Sequence, residues 1–215
     1  AILGGQKSCH AMSEAVTSLP RPFVEELVPY CPKRFNFIDH ILRLLHGPPG
    51  PDAQLPVGSR FGEPSQTLQH LHRYFPNQRP RLKSPLIQDA EFTMMYHDFV
   101  REIVRSNLEE EMLLFEHCPN LRIHLAGEKS LTSPHTDRDH QHSQAEINFW
   151  VPLTHCFGDA SLWAESGPGK GDFHPFEVEP GQAVRFYGNQ CLHFTRDNRT
   201  DSSRVSFDFR AIRMR

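Results

Sequence analysis

Cysteine pairing is what this sequence most plainly lacks. Its five cysteines (Cys9, Cys31, Cys118, Cys156 and Cys191) are odd in number, scattered, and form no C-x-x-C. That excludes a disulfide framework and implies a reducing, cytoplasmic setting. No apolar run reaches the roughly 20 residues a membrane-spanning helix needs, so no membrane partner is expected. Lys and Arg are not clustered, and the net charge is −3. Nucleic acid is therefore not expected as a partner, because neutralising phosphates takes a basic stripe. Internal repeats and low-complexity tracts are absent too. No Ser-His-Asp or Cys-His arrangement offers a side-chain nucleophile. What remains is a chain of 215 residues, 38% hydrophobic, long enough to bury a core without staples.

The first half reads as helical. Val24, Leu27 and Val28 predict a short helix within Pro22–Tyr30, after a weakly ordered Ala1–Ser13. Phe35, Ile38, Ile41, Leu42 and Leu45 recur at helical spacing, with Gly47 as a stop. Pro48 to Pro64, rich in Pro and Gly, predicts a loop, either a plain connection or a lid. Leu68, Leu71 and Phe75 suggest a short helix ended by Pro76. A long helix follows from about Asp89 to Phe115, with Phe92, Met95, Phe99 and Ile103 as its stripe.

After Pro119 the period changes to two. Leu121, Ile123 and Leu125 alternate with Arg122 and His124. Ile147, Phe149 and Val151 alternate with Glu146, Asn148 and Trp150. Val205, Phe207 and Phe209 alternate with Arg204, Ser206, Asp208 and Arg210. Successive strand side chains point to opposite faces, so each strand has one greasy and one polar side. The residues on the polar sides suit an interior site better than solvent. Shorter strands are expected at Ser161–Ala164, Phe176–Val178, Val184–Tyr187 and Cys191–Thr195. The expected fold class is mainly β with N-terminal helices (α+β): a double-stranded β-helix, a jelly-roll, cupin-like barrel backed by helices. Residues 1–118 would form a mostly helical region packed on a 119–215 core, in one integrated domain.

His135 and Asp137 stand two apart in an extended segment, so both point to one side. His193 lies far downstream, after a Gly-Asn turn. Two imidazoles and a carboxylate make the facial triad of a non-haem Fe(II) centre, with the opposite face left open. Arg204 follows His193 by 11 positions, and Ser206 shares its face. A guanidinium fork with a neighbouring hydroxyl suits a carboxylate. The reading is one Fe(II) on His135, Asp137 and His193, with 2-oxoglutarate anchored at Arg204 and Ser206.

These stretches carry a resemblance: LRIHLAGEKSLTSPHTD, EINFWVPLT, SLWAES, FYGNQCLHFTRDN and SRVSFDFR. Over about Pro119 to Ile212 the chain resembles the Fe(II)/2-oxoglutarate-dependent oxygenases. Within them it is most similar to the phytanoyl-CoA-hydroxylase-like enzymes and the streptomycin-biosynthesis-type relatives. The resemblance implies Fe(II), 2-oxoglutarate and O₂ as the reacting set. It implies oxidation, normally hydroxylation, of a C–H bond in a small-molecule substrate, with release of succinate and CO₂. The presence of Asp137 disfavours halogenation. Asn148 is expected to contact the cosubstrate, and Arg122, His124, Trp150, Trp163, Glu165 and Arg210 to line the substrate pocket. His140 and His142 read as surface residues, and Asp208 with Arg210 as a pair along one strand. Two rival readings remain. One is a non-catalytic, cupin-like metal- or ligand-binding module. The other is a binuclear metallohydrolase built on His135-x-Asp137-x-Asp139-His140 and a metal-activated water.

Overall fold

The structure, a computed structural model, describes residues 20–46, 64–76, 79–80 and 83–214. The readings of Ala1–Ser13 and of the loop before Pro64 lie outside the described residues. The chain enters through a 3₁₀ turn at Arg21–Phe23 and strand β1, Glu26–Pro29. Helix α1, Phe37–His46, follows, then α2, Pro64–Gln69, and α3, Lys83–Gln88. Helix α4, Ala90–Phe99, is capped by Asp89, whose carboxylate accepts from Phe92 N at 2.9 Å. A π turn at Val100–Val104 carries it into α5, Arg105–Leu108. The wider winding brings Phe99 and Val104 to one inward face and leaves Ile103 only partly buried.

Two expectations are corrected here. Val24, Leu27 and Val28 do not form a helix: residues 26–29 are a strand paired antiparallel with residues 182–185. The long helix does not reach Phe115 either. Glu109 turns left-handed at φ 56° and ends it, and Leu113–Phe115 becomes strand β2.

The later strands are β3 (Asn120–His124), β4 (Glu146–Pro152), β5 (Trp163–Ala164), β6 (His174–Pro175), β7 (Gln182–Phe186), β8 (His193–Phe194) and β9 (Arg204–Arg213). They form two antiparallel sheets rather than one closed barrel. The larger runs β1-β7-β4-β9-β2, with β3 also on β9; the smaller runs β6-β5-β8. Residues 113–115, from the half expected to be helical, thus join the major sheet beside β9.

The register explains the two-faced strands. Phe149 lies opposite Phe209, and Val151 opposite Phe207. That face packs under the helices: Phe37 meets Phe207 at 4.9 Å between ring centroids, and Tyr96 meets Phe209 at 5.1 Å. Phe92, Phe99, Ile41 and Leu45 complete this aromatic-rich core. The opposite face carries Asn148 beside Arg210, Trp150 beside Asp208, Arg122 beside Ser206, and His124 beside Arg204. It turns toward the smaller sheet. Trp150, Val184 and Phe186 from the larger sheet meet Ala164 and Phe176 there in a second apolar cluster. The polar side chains are thereby trapped between the layers. No helix of the described residues is long and apolar enough to cross a membrane.

Candidate metal centre and its pocket

His135 and His193 are brought together by main chain. His135 N donates to His193 O at 3.2 Å, and His193 N returns the bond to His135 O at 2.9 Å. The imidazole centroids then lie 4.4 Å apart. Each ring has its Nδ1 facing a carbonyl: Ser133 O at 2.8 Å for His135, and Cys191 O at 3.0 Å for His193. A carbonyl only accepts, so each Nδ1 carries the proton and each Nε2 keeps its lone pair free. Metal-binding histidines are commonly oriented this way. Burial pushes His193 below its ordinary pKa, against the pull of Asp137, which favours the neutral ring a metal requires.

Asp137 begins a 3₁₀ turn, Asp137–His140, whose cap is a reciprocal pair between Thr136 and Asp139. Its backbone N–H donates to Gly188 O at 2.8 Å. Its carboxylate is buried and triply hydrogen-bonded. Asn148 Nδ2 reaches Oδ2 at 2.6 Å, Arg210 Nε reaches Oδ2 at 2.9 Å, and Arg210 Nη2 reaches Oδ1 at 3.0 Å. Burial alone would raise this carboxyl, but the Arg210 fork and the Asn148 amide hold it well below the usual range, so it is ionised. Oδ1 faces His193 Nε2 at 3.7 Å. One ligand atom each from His135, Asp137 and His193 lies within 4.8 Å of the others, and among the described residues this is the one cluster of three that can hold a metal ion.

The cluster opens into a cleft. Arg122, Asn148, Trp150, Arg204, Asp208 and Arg210 form its polar wall, and Leu131, Leu162 and Phe186 its apolar one. Arg204 is buried in that wall. Its Nε and Nη1 have no hydrogen-bond partner, and no carboxylate pairs with it among the described residues. The Trp150 ring lies 5.9 Å from its Cζ, and the Asp208 charge offsets part of the cost of burial. Buried guanidinium donors are normally satisfied; these two are not.

The other expected site residues divide. Trp150, Arg122 and Arg210 line the cleft, and Arg122 pairs through Nε with Asp208 Oδ1 at 2.9 Å. The expected Asp208–Arg210 pair does not form: Asp208 takes Arg122 of β3, and Arg210 takes Asp137 and Glu116, both outside the sheet strands. Asn148 lines the cleft, but its amide is committed to Asp137 at one end and to Gly188 N at the other, 3.0 Å away. A Cβ at Gly188 would sit 2.7 Å from that amide, so only glycine fits there. Ser206 is fully buried with an unpartnered Oγ and is not part of the cleft wall.

Three expected pocket residues lie elsewhere. His124 is buried beside Arg204, its Nε2–H donating to Lys129 O at 3.0 Å. On β5 the inward position belongs to Ala164, so Trp163 and Glu165 point away from the cleft. Trp163 stacks under the Arg196 guanidinium, 3.5 Å from its ring. Glu165 clasps main chain, accepting from Gly171 N at 2.8 Å, Leu192 N at 2.9 Å and Gly169 N at 3.3 Å.

Thr132 and Thr195 line the cleft without having been singled out in the sequence. The signal for Thr195 was its place two residues after His193, on the same strand face. His142 pairs with Glu146. Of the residues in the binuclear reading, Asp139 is spent on its cap, and among the described residues no second group of three ligands stands beside the first.

No family model matches the chain. Over 104 residues it is 36% identical to the streptomycin biosynthesis protein StrG of Streptomyces griseus, covering 48% of this chain and 49% of that protein. The matched stretch thus spans about half of that relative's length. Among solved structures, the non-heme alpha ketoglutarate dependent epimerase SnoN from nogalamycin biosynthesis superposes with a TM-score of 0.57 at 14% identity, over 90% of this chain and 79% of that one. The apo form of the non-heme monooxygenase ThoJ superposes at 0.51 and 15% identity, over 90% of this chain and 75% of that one. At these identities the likeness establishes a shared fold. The resemblance read from the motifs thus has a counterpart in three dimensions.

Proposed function

We propose that this chain, with the fold of the non-haem iron and 2-oxoglutarate enzymes, is itself an Fe(II)- and 2-oxoglutarate-dependent dioxygenase. One observation carries this reading: the buried, unpaired guanidinium of Arg204 shares a cleft with a His-Asp-His cluster. Two neutral Nε2 atoms and one ionised carboxylate suit a ferrous ion, and they sit on one side of the space left for it. A dicarboxylate reaching from that position would meet the Arg204 guanidinium that lines the same cleft. The residues present therefore fit both groups.

His135, Asp137 and His193 would hold the iron, and Arg204 the far carboxylate of the cosubstrate. Bound iron and 2-oxoglutarate supply, with O₂, the oxidising power for a substrate C–H bond, giving succinate and CO₂. The chain's own contribution is placement. The reciprocal His135–His193 main-chain bonds set the imidazole spacing, and Asn148 with Arg210 sets the carboxylate. Leu131, Leu162, Phe186 and Trp150 limit water in the cleft. The Arg122–Asp208 pair gives a small polar substrate something to recognise, and hydroxylation is the outcome we assign.

Anaerobic addition of Fe(II) and then 2-oxoglutarate tests the reading. The expected result is the weak visible absorption of the iron–cosubstrate chelate, followed by succinate release once O₂ and a substrate are admitted. Absence of that absorption at saturating cosubstrate would overturn it.

A further inference from the structure

Arg210 is the cleft cation whose every guanidinium nitrogen faces a carboxylate. Nε and Nη2 fork onto Asp137, and Nη1 donates to Glu116 Oε1 at 2.9 Å. Glu116 holds the same residue by its backbone as well, since Arg210 N donates to Oε2 at 3.1 Å. Glu116 lies just past β2, outside the strands that carry the metal cluster, so a separate piece of chain fixes the guanidinium.

The fork decides what Asp137 can do. A carboxylate oxygen has two lone-pair directions. On Oδ2 both are taken, by Arg210 Nε and Asn148 Nδ2. On Oδ1 one is taken, by Arg210 Nη2, and the other side faces His193 Nε2 across 3.7 Å. One lone pair, on one atom, is therefore left on the side that faces His193. Rotating the carboxylate to offer both oxygens would break all three hydrogen bonds, each made inside the protein.

We propose that Arg210 is a positioning residue that presents Asp137 to the metal as a single-oxygen ligand through Oδ1, and that Glu116 locks Arg210 in that role. This rests on the metal-site reading above and deepens it, from where Asp137 is held to which of its oxygens is offered, and to Glu116, which that reading leaves without a task. A purely structural ion pair would look the same in a melting curve. It would not control the coordination of a bound ion.

The test is anaerobic Co(II) titration of the apo protein, read by calorimetry and by the visible spectrum of the bound ion, for wild type, Arg210→Gln, Arg210→Lys and Glu116→Gln. Arg210→Gln is expected to weaken Co(II) by roughly 10–100-fold, the range typical for partners of metal ligands, and to change the spectrum. Arg210→Lys returns the charge without the fork, so it should recover part of the affinity and leave the spectrum altered. Glu116→Gln keeps the Asp137 fork and should weaken Co(II) by a smaller factor, about 3–10-fold. Wild-type affinity with a wild-type spectrum in Arg210→Gln overturns the proposal. If that variant does not fold, Glu116→Gln decides: an unchanged affinity and spectrum overturns it, and a weakened, spectrally altered site in a folded protein supports it. A wild-type chain that takes up no Co(II) overturns the metal-site reading itself, an outcome distinct from an unaffected Arg210 variant.

Discussion

Replacing Arg204 by methionine should make the empty protein more stable while destroying its response to the cosubstrate. Two of its guanidinium nitrogens are buried without acceptors, and each such donor costs about 1–3 kcal/mol. The Trp150 face, 5.9 Å from Cζ, returns about 2 kcal/mol for a desolvated pair. Methionine keeps the aliphatic volume and removes the charge. Exchanging buried ionic groups for apolar ones of like size stabilises by roughly 1–4 kcal/mol. A chain of this size gains about 2–4 °C in Tm per kcal/mol, so a rise of roughly 2–16 °C is expected. A cosubstrate at a hundred times its Kd adds about 2.7 kcal/mol to the wild type and should add nothing to the variant. Thermal melts of the metal-loaded proteins, with and without 2-oxoglutarate, read both numbers. An Arg204→Met protein that melts below wild type without cosubstrate, or still shifts with it, would refute the assignment of Arg204 as an anion site.

His124 is buried, and its pKa is lowered to about 4 by burial and then by the Arg204 charge. The unfolded chain therefore binds the proton first. Stability should fall as pH drops from about 6.5 and level off below about 4, a loss of about 3 kcal/mol. Urea midpoints across that range should be flatter for His124→Phe, and an unchanged profile would count against the buried neutral ring. Phe207 is fully buried against Phe37, Phe92 and Tyr96, so Phe207→Ala should cost about 3–5 kcal/mol by denaturant unfolding. A cost below about 1.5 kcal/mol would mean the sheet is not packed under the helices as described. Glu165→Ala removes the acceptor for three backbone N–H groups and should cost about 1–3 kcal/mol. Faster amide exchange is expected over residues 167–171. Its effect should fall on stability rather than on substrate KM; a large KM change with an unaltered melt would return Glu165 to the pocket.

The sequence was legible wherever a pattern is local. Alternation in residues 121–125, 146–151 and 204–210 reveals two-faced strands because side-chain direction depends only on the strand itself. His135 and Asp137 do converge on one cluster, although Asp137 opens a 3₁₀ turn rather than continuing a strand. What sequence could not show was pairing across the sheet. Asp208 and Arg210 share a strand face and look like partners, yet Asp208 pairs with Arg122 of β3, and Arg210 with Asp137 of a 3₁₀ turn far off in sequence. Residues 26–29 fit helical spacing as well as strand spacing, and their partner lies more than 150 positions away. Glu109 adopts φ 56° without being glycine, so nothing announces the helix end before residues 113–115. Trp163 and Glu165 were misplaced for a related reason. A two-residue strand has too little alternation to say which side is inward.

The pairing of residues 26–29 with β7 has a practical side. That short segment shields the outer rim of β7, whose inner rim is already bonded to β4. A chain trimmed to begin after Pro29 would keep every residue of the cleft. It would also expose a row of unmet amides and carbonyls along β7, an invitation to stick to other molecules of its kind. Anyone shortening this protein for crystals or for a fusion should therefore cut before Glu26, and should expect clumping, rather than lost ligands, as the first sign of having cut too far.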